Sequence, residues 1–259
     1  MSTPMNTSLP WPDGAEVLPI AALRPVLDRL ASLVTTHEED AAQIPGLAVS
    51  EEEVAADPPP ALEQLVDELG GIELRGARVL DLLVEDRTDV GPYTLLGDAR
   101  TYYPLYETPD AAVVLTLDEH GTPGAVHGIG EDLSLQLAAP DLTTYLGLFA
   151  DALEATLAAL AERGPAEEDT DTERTEVAEQ LMDAHLFAAL LGTVDGVPEA
   201  ELVPAEGDAA ADGALALADL RGAALGTRVD PMDVDVPGDP LETHLSWREH
   251  GLVIAVHGG

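Results

Sequence analysis

The sequence has no cysteine and no lysine in 259 residues, and its 11 basic residues are all arginine, against 50 aspartates and glutamates. Without cysteine there is no thiol nucleophile, no disulfide, no iron–sulfur cluster and no Cys-type zinc site. Without lysine there is no P-loop phosphate clamp and no Schiff base to a carbonyl or to pyridoxal phosphate. Aromatic residues make up only 3% of the chain, so its core must come from Leu, Val, Ile and Ala, each gaining less on burial than Phe or Trp. Residues Met1 to Ile20 hold no basic side chain and no long apolar run, so no signal peptide is expected. No stretch approaches the ~18 apolar residues that cross a bilayer, so a cytoplasmic protein is expected.

What is present is globular: 46% of residues are hydrophobic. The formal charge of −39 repels nucleic-acid phosphates and anionic lipid, so any macromolecular partner is expected to be basic. The acidity has two compatible readings. One is adaptation to a salt-filled cytosol, in which screening tolerates a carboxylate-rich surface. The other is an acidic face for a basic partner. The charge runs along the whole chain, as the first reading requires.

The apolar spacing divides the chain. Residues 1–16 are polar, Pro-rich and expected to be disordered. Leu23, Val26, Leu27, Leu30, Leu33 and Val34 recur at helical spacing, with Pro25 near the helix start. Residues 41–60 read as a connector with a helical turn at 51–56. A second helix follows Pro60, with Leu62, Leu65, Val66 and Leu69 on one face and Gly70-Gly71 as its stop. The period then falls to 2. Strands are expected at 72–75, 79–84, 93–96, 102–107, 111–118, 124–129 and 133–138, with Asp118-Glu119-His120-Gly121 as a hairpin turn. Asp141 caps the strongest helix, lined by Leu142, Tyr145, Leu146, Phe149, Leu153, Leu157 and Leu160.

An acidic linker at 164–174 is the expected boundary between a 17–163 α+β domain and a smaller α+β part over 175–259. In that part a helix is expected near 175–191, a strand near 201–204, a helix over 214–224 and a hairpin over 244–257. The fold class is therefore α+β: an antiparallel sheet against N-terminal helices and a long closing helix, with a smaller C-terminal α+β part.

Several pieces of 47–160 share an order with one known family. They are Pro60-Ala61-Leu62-Glu63-Gln64-Leu65-Val66 closed by Gly70-Gly71, then Leu95-Leu96-Gly97, then Val113 to Asp118 and Gly121 to Val126, then Leu137-Ala138-Ala139 running into Asp141 to Leu146. This order resembles the SUKH superfamily of toxin-immunity and cell-wall-assembly-regulator proteins. Leu62 stands where that family usually has Tyr, and Leu65-Val66 where it has Phe-Leu. The resemblance implies a non-catalytic protein that neutralises a toxin, often a nuclease, by direct binding. A chain this acidic suits a basic toxin through faster encounter and complementary potential.

Four of the five tyrosines, Tyr93, Tyr102, Tyr103 and Tyr106, fall close together. Tyr is favoured at interfaces because it joins a large rigid ring to a hydroxyl. These four, with Arg100, Glu107 and Asp110 as polar neighbours, are the candidate protein interface; the alternative is that two pack in the sheet and two sit on a rim.

No cofactor or metal is expected. Asp169-Thr170-Asp171-Thr172-Glu173 lacks the Gly and the closing Glu of a calcium loop and reads as solvated linker. Asp230, Asp233, Asp235 and Asp239 read as a surface loop. His244 and His257 face each other across the last hairpin and are too few for zinc. The glycines at 121, 124, 128 and 130 do not match a dinucleotide loop, and no Ser stands in a GxSxG context. Two rivals to a binding function stay open: a salt-adapted housekeeping or regulatory domain, and a hydrolase using two carboxylates.

Overall fold

The computed structural model describes residues 11–12, 17–49, 57–83, 93, 95–107, 111–163, 170–191, 196–233 and 243–258. The expected turn at 51–56, most of the segment 1–16 expected to be disordered, and most of the acidic linker lie outside them.

Helix α1, Ile20–Thr36, buries Leu23, Leu27 and Leu30, the i, i+4, i+7 stripe of its sequence. Pro25 lies inside it as the sixth helical residue, where it cannot donate to the Ala21 carbonyl; both residues are exposed, so that carbonyl faces solvent. The connector expected after α1 contains a strand, β1 (Ala41–Pro45). A 3₁₀ turn at Pro60–Leu62 leads into the short helix α2, Glu63–Glu68. The glycine pair after it does not end a helix; it lies inside strand β2, Leu69–Leu74, which pairs with β1 and with β3, Ala77–Asp81. A Cβ on Gly70 would lie 2.4 Å from the Pro45 carbonyl oxygen, and one on Gly71 would lie 2.2 Å from that of Leu80. Close approach of neighbouring strands is what these positions require.

The central sheet has the order β10-β7-β6-β5-β4, all antiparallel. Its strands are β4 (Tyr102–Glu107), β5 (Ala112–Leu117), β6 (Pro123–Ile129), β7 (Leu135–Ala139) and the two-residue β10 (Arg228–Val229). The segment 93–96, expected as a strand, is turn-like where described. Helix α3, Leu142–Arg163, follows β7, and Asp141 Oδ1 accepts the Thr144 N–H at 2.8 Å as its cap. By length and composition α3 could cross a membrane, which the sequence reading denied to every segment; half of that stretch is buried in the protein, as in a core helix.

Helix α4, Asp171–Leu191, begins four residues earlier than its apolar spacing indicates. Thr170 and Glu173 form a capping box: Glu173 Oε2 accepts the Thr170 N–H at 2.8 Å, and Thr170 Oγ1 accepts the Glu173 N–H at 3.3 Å. The would-be calcium loop is therefore a helix start.

Beyond α4 come β8 (Val203–Pro204), α5 (Gly207–Ala211), β9 (Ala214–Asp219), β11 (His244–Arg248) and β12 (Val253–His257). The expected helix over 214–224 is corrected: its first half is strand β9, in which Ala216 and Ala218 are buried on one face, alternating with half-buried Leu215 and Leu217, while Ala214, beyond a register shift against β12, packs with Ala209 and Ala255. Tertiary packing of that period-2 face outweighs the helix propensity of alanine. Strands β11, β12, β9 and β8 form a third antiparallel sheet.

Two cores result, one on each face of the central sheet. Leu115, Leu117 and Val126 pack with α1, α3, α4 and the first sheet. Val114, Ala125 and Leu137 pack with Ala216, Ala218, Leu245, Ile254 and Val256 of the third. The boundary expected at 164–174 thus does not separate two cores: Ala178, Met182 and Leu186 of α4 complete the first, β10 extends the central sheet, and the third sheet closes the second.

Candidate binding site

The tyrosine cluster is corrected first. Tyr93, Tyr102 and Tyr103 are buried, the last two at 1% and 0% exposure, so they are core rather than interface residues. Alternation along β4 sends Tyr102 to one core and Tyr103 to the other. Tyr102 stacks on Tyr93 with centroids 5.4 Å apart, and the Tyr103 hydroxyl donates to the Leu82 carbonyl at 2.7 Å. Arg100 is engaged by its near neighbour Asp98, its Nε donating to Oδ1 at 2.9 Å. Glu107 pairs with Ala112 at the end of β4 through its backbone, and Asp110 lies outside the described residues.

Tyr106 is different, and a β-bulge makes it so. Pro104 pairs with Val114 and Tyr106 with Val113, so Leu105 is the extra residue and Tyr106 returns to the helix-side face. Half-buried there, its hydroxyl donates to Asp183 Oδ1 of α4 at 3.2 Å. Burial, and then the charge of Asp183, push the phenol's pKa up. Asp183 is itself raised by burial, against the lowering effect of that hydrogen bond.

Register carries the row onward. Tyr106 pairs with Val113, Val113 with Gly128, Gly128 with Gln136 and Gln136 with Arg228. One cross-strand row therefore runs over all five strands of the central sheet. Four strand gaps give it a length of about 19 Å. Gly128 stands at its middle, and a Cβ there would meet nothing within 4 Å. The missing side chain leaves a groove of about 290 Å³, floored by Val113, Gly128 and Ala138 and walled by Asp183 and Leu186 of α4.

At its far end Arg228 Nη2 donates to Asp132 Oδ2 at 2.9 Å and to Asp230 Oδ2 at 3.3 Å. Asp132 also accepts from the Ser134 hydroxyl at 2.6 Å, and that bond is the main reason its pKa is lowered. Sequence spacing alone could not find this row, because its members come from five strands and a helix. The one local signal was an isolated glycine in a strand pattern.

Six further arginines share the fate of Arg100 and Arg228. Arg29 bonds Asp151 and Glu154, each at 2.6 Å, and Arg24 bonds Glu68. Arg75 pairs with Asp40 at 2.7 Å, Arg221 with Asp219 at 2.7 Å and Arg248 with Asp212 at 3.0 Å. Arg78 lies between Glu73 and Asp81. The carboxylates facing solvent beyond these pairs set the sign of the surface.

His244 and His257 do face each other, with ring centroids 4.9 Å apart. His257 also meets the Ser246 hydroxyl at 2.8 Å, and burial lowers its pKa. Among the described residues no group of three or more His, Asp or Glu is placed to hold a metal ion. No protein-family model, curated protein or solved structure matches this chain. Its class is therefore defined by architecture alone: an α+β protein with a central antiparallel sheet covered on both faces.

Proposed function

We propose that this chain is a non-catalytic, cytoplasmic binding protein of the toxin-immunity kind, whose partner is a basic protein, a nuclease toxin being the expected case. One observation carries the reading: the arginines Arg24, Arg29, Arg75, Arg78, Arg100, Arg221, Arg228 and Arg248 are each held by a carboxylate of the same chain. Cations so placed do not project their own positive field. The net charge of −39 then sets the sign of the chain's field, which accelerates encounter with a basic surface and rejects an acidic one. The order of elements over 47–160, which resembles the SUKH superfamily, supports the same reading.

The test is co-purification of the full chain from its native host, followed by titration of the recovered partner at rising KCl. A stoichiometric basic partner whose association slows steeply between 0.05 and 0.5 M salt is the expected result, in line with screening. Turnover of a small molecule that is abolished by one Asp or Glu substitution would show a carboxylate hydrolase instead.

A second reading, a salt-adapted fold with no special partner, is favoured by how widely the exposed carboxylates are spread. Asp28 on α1, Glu63 on α2, Asp208 on α5 and Glu249 in the last hairpin all face solvent. A chain that loses its circular dichroism below about 1 M KCl and retains no basic partner would establish that reading.

A further inference from the structure

We infer that the groove over Gly128 takes a single cationic side chain, an arginine or lysine of the partner protein, laid along the sheet with its charged end on Asp183. This rests on the basic-partner reading above but adds a specific anchor to it. The argument is charge and shape together. Asp183 is half-buried, and its described hydrogen-bond partner is the neutral Tyr106 hydroxyl. Glu179, one turn earlier on α4, adds a second negative charge acting at Tyr106. Arg228, the cation lining the groove, is already shared between Asp132 and Asp230. The polar wall beside α4 is thus anionic and has no counter-charge of its own among the described residues.

The floor supplies the other half. Val113, Gly128 and Ala138 give an apolar surface, and the absent side chain at 128 opens a channel wide enough for an aliphatic stem. Arginine and lysine bury such a stem while keeping the charged head on a polar group. A neutral apolar side chain would fill the floor and leave the Asp183 carboxylate half-desolvated and unmatched. An anionic one would meet Asp183 directly. Half-desolvation strengthens the pairing with a cation relative to an exposed ion pair.

The probe is a capped peptide, acetyl-Ala-Val-Arg-Val-Ala-amide, titrated into the full ¹⁵N-labelled chain with amide shifts as the readout. Its comparison peptide carries citrulline, the uncharged isostere, in place of arginine. The expected result is saturable shifts at Val113, Gly128 and Leu186 with the arginine peptide, and at least tenfold weaker binding with citrulline. Gly128→Leu fills the channel, and Asp183→Asn removes the charge while keeping a hydrogen-bonding oxygen. Each is expected to weaken the arginine peptide tenfold or more. Shifts scattered over the acidic surface, equal binding of citrulline, or undiminished binding by both variants would overturn the site. If both variants instead hold the basic partner protein as tightly as the parent chain, the anchor is wrong and the acidic-surface reading survives. If the groove shifts appear as expected but the parent chain retains no basic protein, the reading of function fails and the cation site stands.

Discussion

His127 Nε2 donates a hydrogen bond of 2.9 Å to the carbonyl oxygen of Gly251, joining the central sheet to the tip of the last hairpin. A carbonyl only accepts, so Nε2 carries the proton and Nδ1 is bare; Nδ1 is buried and unpartnered in the described structure. The ring stacks on Trp247 with centroids 5.1 Å apart. Burial, opposed only by the bond to Gly251, lowers the His127 pKa to about 4. The folded protein therefore resists a proton that the unfolded chain accepts near pH 6.5.

That difference fixes a sign. Between pH 6.5 and about 4 the unfolded state binds more protons, so stability falls as pH falls through this window and levels off below it. The loss is about 3 kcal/mol. Urea unfolding at pH 7.5 and pH 5, compared with a His127→Gln variant that keeps a donor near Nε2, isolates the histidine. The variant is expected to lose most of the slope; an unchanged slope would assign it to the carboxylates.

The same junction is steric. A Cβ on Gly251 would lie 2.1 Å from Thr116 Oγ1, and its φ is +82°, a conformation that favours glycine. Gly251→Ala is expected to cost about 2–4 kcal/mol. Gly222 has a similar φ of +76° with nothing within 4 Å of its Cβ position. Gly222→Ala is expected to cost only about 1 kcal/mol, the backbone share alone. Denaturant midpoints of the two variants measure the contribution of the close approach.

The buried tyrosines predict stability effects in place of binding effects. Tyr103→Phe removes the hydroxyl that donates to the Leu82 carbonyl at 2.7 Å and is expected to cost about 1–3 kcal/mol. Tyr102→Ala empties a site of 1% exposure and is expected to cost about 3–5 kcal/mol. Thermal unfolding ranks them. A Tyr102→Ala chain as stable as the parent would return that residue to the interface.

Salt has a predictable effect on folding as well as binding. Going from 0.1 to 1 M KCl shortens the screening length from about 10 to 3 Å. Repulsion among carboxylates in a chain of charge −39 is then damped, while the arginine pairs at the surface contribute little to lose. The urea midpoint is expected to rise with KCl across that range. A midpoint that falls would mean the ion pairs outweigh the repulsion.

A chain ending at Arg163 tests the shared cores. It would lack Ala178, Met182 and Leu186 from one core and the whole third sheet from the other. Val114, Ala125, Ile129 and Leu137 would face water. Dye binding, aggregation and a lost cooperative transition are expected; a soluble fragment with sharp two-state melting would restore the boundary at 164–174.

Much of the architecture was readable from local pattern. The period of 2 from Ile72 to Ala138 and the period of 3.6 over Leu142 to Leu160 placed the second half of β2, β3 to β7 and α3, because backbone geometry repeats at those intervals. The same period of 2 also suggested a strand at 93–96 that is turn-like where described. The Asp141 cap and the last hairpin were readable for the same reason: their signals lie within a few residues of each other. The capping box at Thr170 and Glu173 was equally local but was read as part of a solvated acidic linker. Strand β9 was misread because Ala214 to Ala218 is compatible with either period, and only the facing β12 selects one.

Composition alone settled what this protein must do without, namely thiol and lysine chemistry, and the sign of the field it presents. Those follow from side-chain identity and need no fold. Which tyrosines are core, that Tyr106 meets Asp183, and that a glycine opens a groove between Val113 and Gln136 were decided only in three dimensions. They depend on a bulge, on strand register and on where α4 packs, and each of these is fixed by contacts between segments far apart in the chain.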